Sequence, residues 1–110
     1  MPPFAIFGPV GLLLVALGLP LYRGKVKQNA WYGVRLPLTL DNERAWFELN
    51  RRGGMGLVVL GAVVLAVALV LLVLDLPREV SVAAHVGVLL FGTTIVGMDI
   101  LRAASRWPEN

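Results

Sequence analysis

Residues 55–74 read MGLVVLGAVVLAVALVLLVL, an unbroken run without a polar side chain. About 20 apolar residues in a helix cross the hydrocarbon core of a bilayer. Inside lipid the backbone must satisfy its own hydrogen bonds, which a helix does. Two further stretches share this character, residues 4–22 and residues 80–101, the latter carrying a few polar side chains. The segment 4–22 has no Lys or Arg before it and no A-x-A-like site after it, which favours a retained span over a cleaved signal peptide. The third begins after the turn Asp75-Leu76-Pro77-Arg78-Glu79, so spans 55–76 and 80–101 are antiparallel neighbours. The expected fold is therefore an all-α integral membrane protein with three transmembrane helices. With 110 residues there is room for one domain, 1–110.

Composition agrees. The chain is 57% hydrophobic and only 15% charged, against about 25% charged residues in soluble domains, and mean hydropathy is +0.76. It has no cysteine, which excludes disulfides, thiolate nucleophiles and Cys-based metal sites.

The polar hairpin 23–54 separates the first two spans. Arg23, Lys25 and Lys27 open it, followed by Asn29, Trp31, Tyr32, Gly33, Arg35 and Pro37. Pro37 pushes Leu36 towards an extended conformation. A short amphipathic helix over about 41–52 should follow, with Asp41 as N-cap and Glu43 in the first turn. Gly53-Gly54 should stop it or hinge it onto the next span. At 3.6 residues per turn Asn42, Ala45, Trp46, Leu49 and Asn50 share one face; Arg44, Glu48, Arg51 and Arg52 share the other. Arg44–Glu48 and Glu48–Arg52 are spaced to pair along the helix. So short a helix needs support from the membrane surface or from the spans; the sequence leaves open whether it lies flat on the membrane or continues into the second span.

Nine of the ten Lys and Arg lie in the hairpin or after the third span; only Arg78 lies in the other connection. By the positive-inside rule the N-terminus is outside and the hairpin and C-terminus are cytoplasmic, in a multi-pass protein of the cell membrane. The tryptophans and tyrosines suit an interfacial belt. The basic residues after the first span suit topology or anionic lipid headgroups. No nucleic-acid motif accompanies them.

Third-span polar residues are the remaining candidates. His85 reads as a helix-packing or interfacial histidine, with a proton-linked role as the sharper reading. A metal site is not expected, because no second His or Cys exists to complete one. Asp99 is placed to pair with Arg102 or, more informatively, with Arg35. Thr93 and Thr94 should bond back to helix carbonyls or across to a neighbour. Ala62/Ala66 and Ala83/Gly87 are small-residue pairs suited to close helix approach and to a homo-oligomer. There is no catalytic constellation and no cofactor motif.

The pattern Asn29-x-x-Tyr32-Gly33-Val34-Arg35-x-Pro37-x-Thr39, followed by Trp46-x-x-x-Asn50 and Gly53-Gly54, resembles the signature of the SdpI family of bacterial membrane proteins. One span before it and two after it suit the same family. Leu36 stands where the pattern has a small polar residue. The resemblance implies a non-catalytic protein that confers resistance to a secreted antimicrobial peptide or senses envelope stress. Its partners would be a peptide toxin or a cytosolic regulator. The family's namesake is a longer, six-span protein with both roles. Asn29, Tyr32, Gly33, Arg35, Pro37, Trp46 and Asn50 carry over as motif residues and as the surface for a partner. The alternative reading is a small oligomeric transporter or lipid-binding subunit working through His85, Thr93, Thr94 and Asp99. A third is an assembly factor that presents the basic hairpin to a cytosolic partner.

Overall fold

A computed structural model describes residues 2–108. Helix α1 spans Pro3–Tyr22, α2 Pro37–Asp41, α3 Glu43–Leu74 and α4 Arg78–Ser105. Three of the four are long and apolar enough to cross a membrane.

Helix α1 has 20 residues, about 30 Å of helix, which equals one hydrocarbon core. It ends in a Schellman motif: Gly24 adopts φ +68°, its amide donates to Leu21, and the Lys25 amide donates to Pro20 at 2.9 Å. Helix α3, at 32 residues, is about 48 Å long, so its first turns project past the bilayer. The molecule is correspondingly a 52 × 23 × 18 Å rod. At the far end Asp75 takes the left-handed conformation that closes α3, and Pro77 starts α4.

The expected short helix and the second span are therefore one helix. Gly53-Gly54 neither stop nor hinge it. Each glycine costs a helix about 1 kcal/mol relative to alanine, and here close packing explains the choice. A Cβ on Gly54 would lie 2.5 Å from the Gly18 carbonyl oxygen and the Tyr22 amide; one on Gly53 would lie 2.9 Å from Val34. One step further out, a Cβ on Gly61 would lie 2.6 Å from the Gly11 carbonyl oxygen. Helices α1 and α3 thus run antiparallel with backbones nearly touching at Gly18/Gly54 and Gly11/Gly61, equal intervals on both. Close approach through small residues is how helices gain dispersion contact where lipid supplies no hydrophobic drive.

Helix α4 packs on α3 through knobs in glycine holes, Val96 at Gly56 and Leu60 at Gly92. Phe7, Leu60 and Val64 are buried where the three helices meet, with Leu14, Val82, Val88 and Leu89 around them. Outward faces such as Leu12, Val73 and Phe91 are bare apolar surface, as lipid requires. Ala62, Ala66 and Ala83 are also on the outside, and a Cβ on Gly87 would meet nothing within 4 Å.

Candidate functional site

The segment between α1 and α3 folds back on the projecting turns of α3 as a cap. Asn42, rather than Asp41, is the N-cap of α3, accepting from the Ala45 amide at 3.0 Å. The face expected from periodicity then points inward: Ala45, Trp46, Leu49 and Asn50 are buried.

Trp46 is fully buried, and its Nε1–H donates to the Val26 carbonyl at 2.8 Å, which draws the chain leaving α1 across α3. Asn50, 2% exposed, accepts from the Val34 amide at 2.6 Å and donates to the Trp46 carbonyl at 2.9 Å. Buried backbone groups without such partners are costly, so Asn50 replaces water for a strandless loop.

Gly33 has φ +113°, a region that side chains disfavour. A Cβ there would also stand 2.5 Å from Asn50 Oδ1. Asn29 closes an Asx turn, its Oδ1 accepting from the Trp31 amide at 2.8 Å and the Tyr32 amide at 2.7 Å. The Tyr32 hydroxyl donates to the Leu17 carbonyl. That bond fastens the hairpin to the last turns of α1. Burial pushes the Tyr32 phenol above its ordinary value.

Pro37 opens α2 at its first position, where the missing amide costs nothing, and Leu36 is extended as expected. Thr39, which belongs to the motif but not to the expected partner surface, is completely buried. Its hydroxyl accepts from the Leu36 amide at 2.8 Å and donates towards the Val34 carbonyl at 2.8 Å. The signal was available: a threonine two positions after a helix-starting proline is where a hydroxyl reaches back to the turn. Gln28 completes the cap by donating to the Thr39 carbonyl at 2.8 Å.

The motif residues are thus brought together, and most spend their side chains on the cap's own backbone. Other cap side chains stay exposed, among them Lys25, Lys27, Pro37 and Leu40, and the most prominent are an aromatic ring and a guanidinium. Trp31 is 88% exposed. Arg35 is exposed, steadied by one N–H donated to the Ala30 carbonyl.

Arg35 does not meet Asp99. Asp99 takes a two-pronged pair with Arg52, at 2.7 Å from Nε and 3.1 Å from Nη2, which ties the hairpin-side ends of α3 and α4. Arg44 pairs with Glu48 at 3.4 Å and lies 5.7 Å over the Trp107 ring. The third-span polar residues do not converge. Thr93 and Thr94 donate to the Leu89 and Leu90 carbonyls of their own helix, both at 2.7 Å. His85 lies about 21 Å along α4 from Asp99, at the opposite end of the bundle. There it is 1% exposed, stacked on Phe7 at 4.1 Å between ring centroids. Its Nδ1 is 2.8 Å from the Ser81 carbonyl, so Nδ1 carries the proton; Nε2 is buried without a partner. Among the described residues no group of three His, Cys, Asp or Glu could hold a metal ion.

A family model described as the SdpI/YfhL protein family matches residues 25–100, which takes in the cap and most of the two helices after it. Comparison with curated proteins and with solved structures returns no match. On a multi-pass scaffold of three apolar helices, with the match covering more than half its length, the chain belongs to the SdpI/YfhL family.

Proposed function

We propose that this protein is a non-catalytic immunity or envelope-sensing protein of the bacterial cytoplasmic membrane, and that the cap is the surface through which it acts. Family membership supports an immunity-type membrane protein broadly. The observation that carries the finer reading is the division of labour within the cap. Asn29, Tyr32, Trp46 and Asn50 hold its backbone, while Trp31 and Arg35 stand at its outer surface. A rigid loop presenting an aromatic ring and a guanidinium suits recognition, since Trp and Arg dominate binding hot spots and both favour membrane interfaces. The partner is a membrane-active peptide toxin or a cytosolic regulator. The charge asymmetry supports a cytoplasmic cap, with the N-terminus outside.

The test is a deletion strain complemented with wild type, Trp31→Ala or Arg35→Ala at matched membrane levels and challenged with secreted antimicrobial peptides. Protection by wild type and loss with either variant is the expected result. Wild-type protection that survives both substitutions would remove the cap surface from the reading. Unchanged sensitivity on deletion would remove immunity.

A further inference from the structure

An open apolar groove of about 850 Å³ runs between α3 and α4. Its floor includes Gly56 and Gly92, over which Val96 and Leu60 pack. Its rims are the exposed side chains of Val59, Val63, Phe91 and Ile95. From Arg51 to Val63 the helix rises about 18 Å, close to the depth of one leaflet, half of an about 30 Å core. The groove therefore starts at the hairpin-side interface and stops near mid-membrane.

At its hairpin-side end it adjoins a second, polar pocket of about 370 Å³. Glu48, Arg52 and Asp99 line both. The polar pocket adds Arg44, Arg102 and Arg106. Four guanidinium groups face two carboxylates there. Arg52 and Arg44 have carboxylate partners. Among the described residues no carboxylate lies within ion-pair distance of Arg102 or Arg106. The Nε1–H of Trp107, which also lines the pocket, is buried without an acceptor. The pocket thus offers surplus positive charge and an unused donor at the level of the membrane surface.

Either feature alone is unselective. An apolar groove accepts any chain, and an arginine cluster accepts many anions. Joined through the Arg52–Asp99 pair, they match an amphiphile with an anionic head at the interface and a chain one leaflet long. We propose that groove and pocket form one site for an anionic glycerophospholipid of the hairpin-side leaflet. Its phosphate sits at Arg102 and Arg106, and an acyl chain lies along Val59, Gly92 and Ile95. Charge complementarity selects the head, and the leaflet-length groove selects a lipid over a soluble anion. The assignment is independent of the immunity reading.

The test uses the full chain in detergent, offered equal amounts of phosphatidylglycerol and phosphatidylcholine with identical acyl chains, with bound lipid counted by native mass spectrometry. Wild type should retain one phosphatidylglycerol, favoured about tenfold or more over phosphatidylcholine. The double variant R102Q/R106Q should bring that ratio towards one. V59W, which fills the groove from its exposed rim, should lose both lipids; I95W serves the same purpose if V59W unfolds, as judged by circular dichroism. Glycerol 3-phosphate, a head without a chain, should not displace the lipid. Equal retention of the two lipids by wild type overturns the proposal. So does a ratio unmoved by R102Q/R106Q, or retention by a folded groove-filled variant. Displacement by glycerol 3-phosphate would reduce the site to an anion pocket for acidic solutes or peptides and would overturn the lipid assignment.

Discussion

The side-chain oxygen of Asn50 occupies the space beside Gly33 that a Cβ would need, 2.5 Å from where that atom would stand. The same oxygen accepts from the Val34 amide at 2.6 Å. The loop approaches α3 this closely because residue 33 has no side chain and residue 50 offers an acceptor.

Asn50→Ala should therefore destabilise the protein by about 1–3 kcal/mol, the cost of leaving a buried amide unsatisfied. Gly33→Ala should cost at least as much, since it combines the clash with a disfavoured φ. Adding Asn50→Gly to Gly33→Ala should relieve only the clash. Thermal unfolding in detergent, read by the fluorescence of buried Trp46, separates the three variants.

Gly54→Leu and Gly18→Leu should each prise α1 from α3 and lower the melting temperature sharply, because the intruding atoms meet backbone, which cannot turn aside. Gly87→Leu, at a position where a Cβ would meet nothing within 4 Å, should leave the monomer's melting largely unchanged. If Ala83/Gly87 is a seam between copies, Gly87→Leu should instead shift the oligomeric state seen by size-exclusion chromatography with light scattering.

The Tyr32 phenol is held above its ordinary value of 10.0 by burial, and its neutral form donates to Leu17. A raised acidic group stabilises the fold fully below its unfolded pKa and loses that contribution as pH rises through the folded one. The cap should thus loosen above about pH 10, seen as increased quenching of Trp46 by acrylamide in a chain whose Trp31 and Trp107 are replaced by Phe. Tyr32→Phe should be less stable at neutral pH and should lack this alkaline step.

At the other end of the bundle, His85 keeps an unpartnered nitrogen in a buried stack with Phe7. His85→Phe preserves an aromatic stack and removes the unsatisfied acceptor, so melting should be unchanged or higher. Wild-type protection retained by His85→Phe would confine this residue to packing, whereas protection lost in a folded variant would give its imidazole a functional part.

Unbroken apolar length made three helices readable in advance, and periodicity the buried face of Ala45, Trp46, Leu49 and Asn50, because burial on one side of a helix writes a 3.6-residue pattern into the chain. Continuity through Gly53-Gly54 was not readable from that stretch alone. Taken locally, two glycines weaken a helix; the compensating term is the backbone of α1, far away in the chain. A trace of it was present in the equal spacing of Gly11 and Gly18 against Gly54 and Gly61. The partner of Asp99 was hidden for a similar reason. Arg102 is near in sequence and Arg35 belongs to the motif, but the antiparallel packing of α3 and α4 brings Arg52 to the carboxylate. Asn50 was visible as a motif residue, while its bond to Val34 depends on a loop that only the folded chain defines.

An α3 without a break makes the protein a lever. The glycines that might have bent it are wedged against α1 and Val34, so no joint separates the part outside the bilayer from the part within. The loop that Trp46 and Asn50 hold is therefore carried on the same unbroken helix as Leu60 and Val64 of the three-helix core.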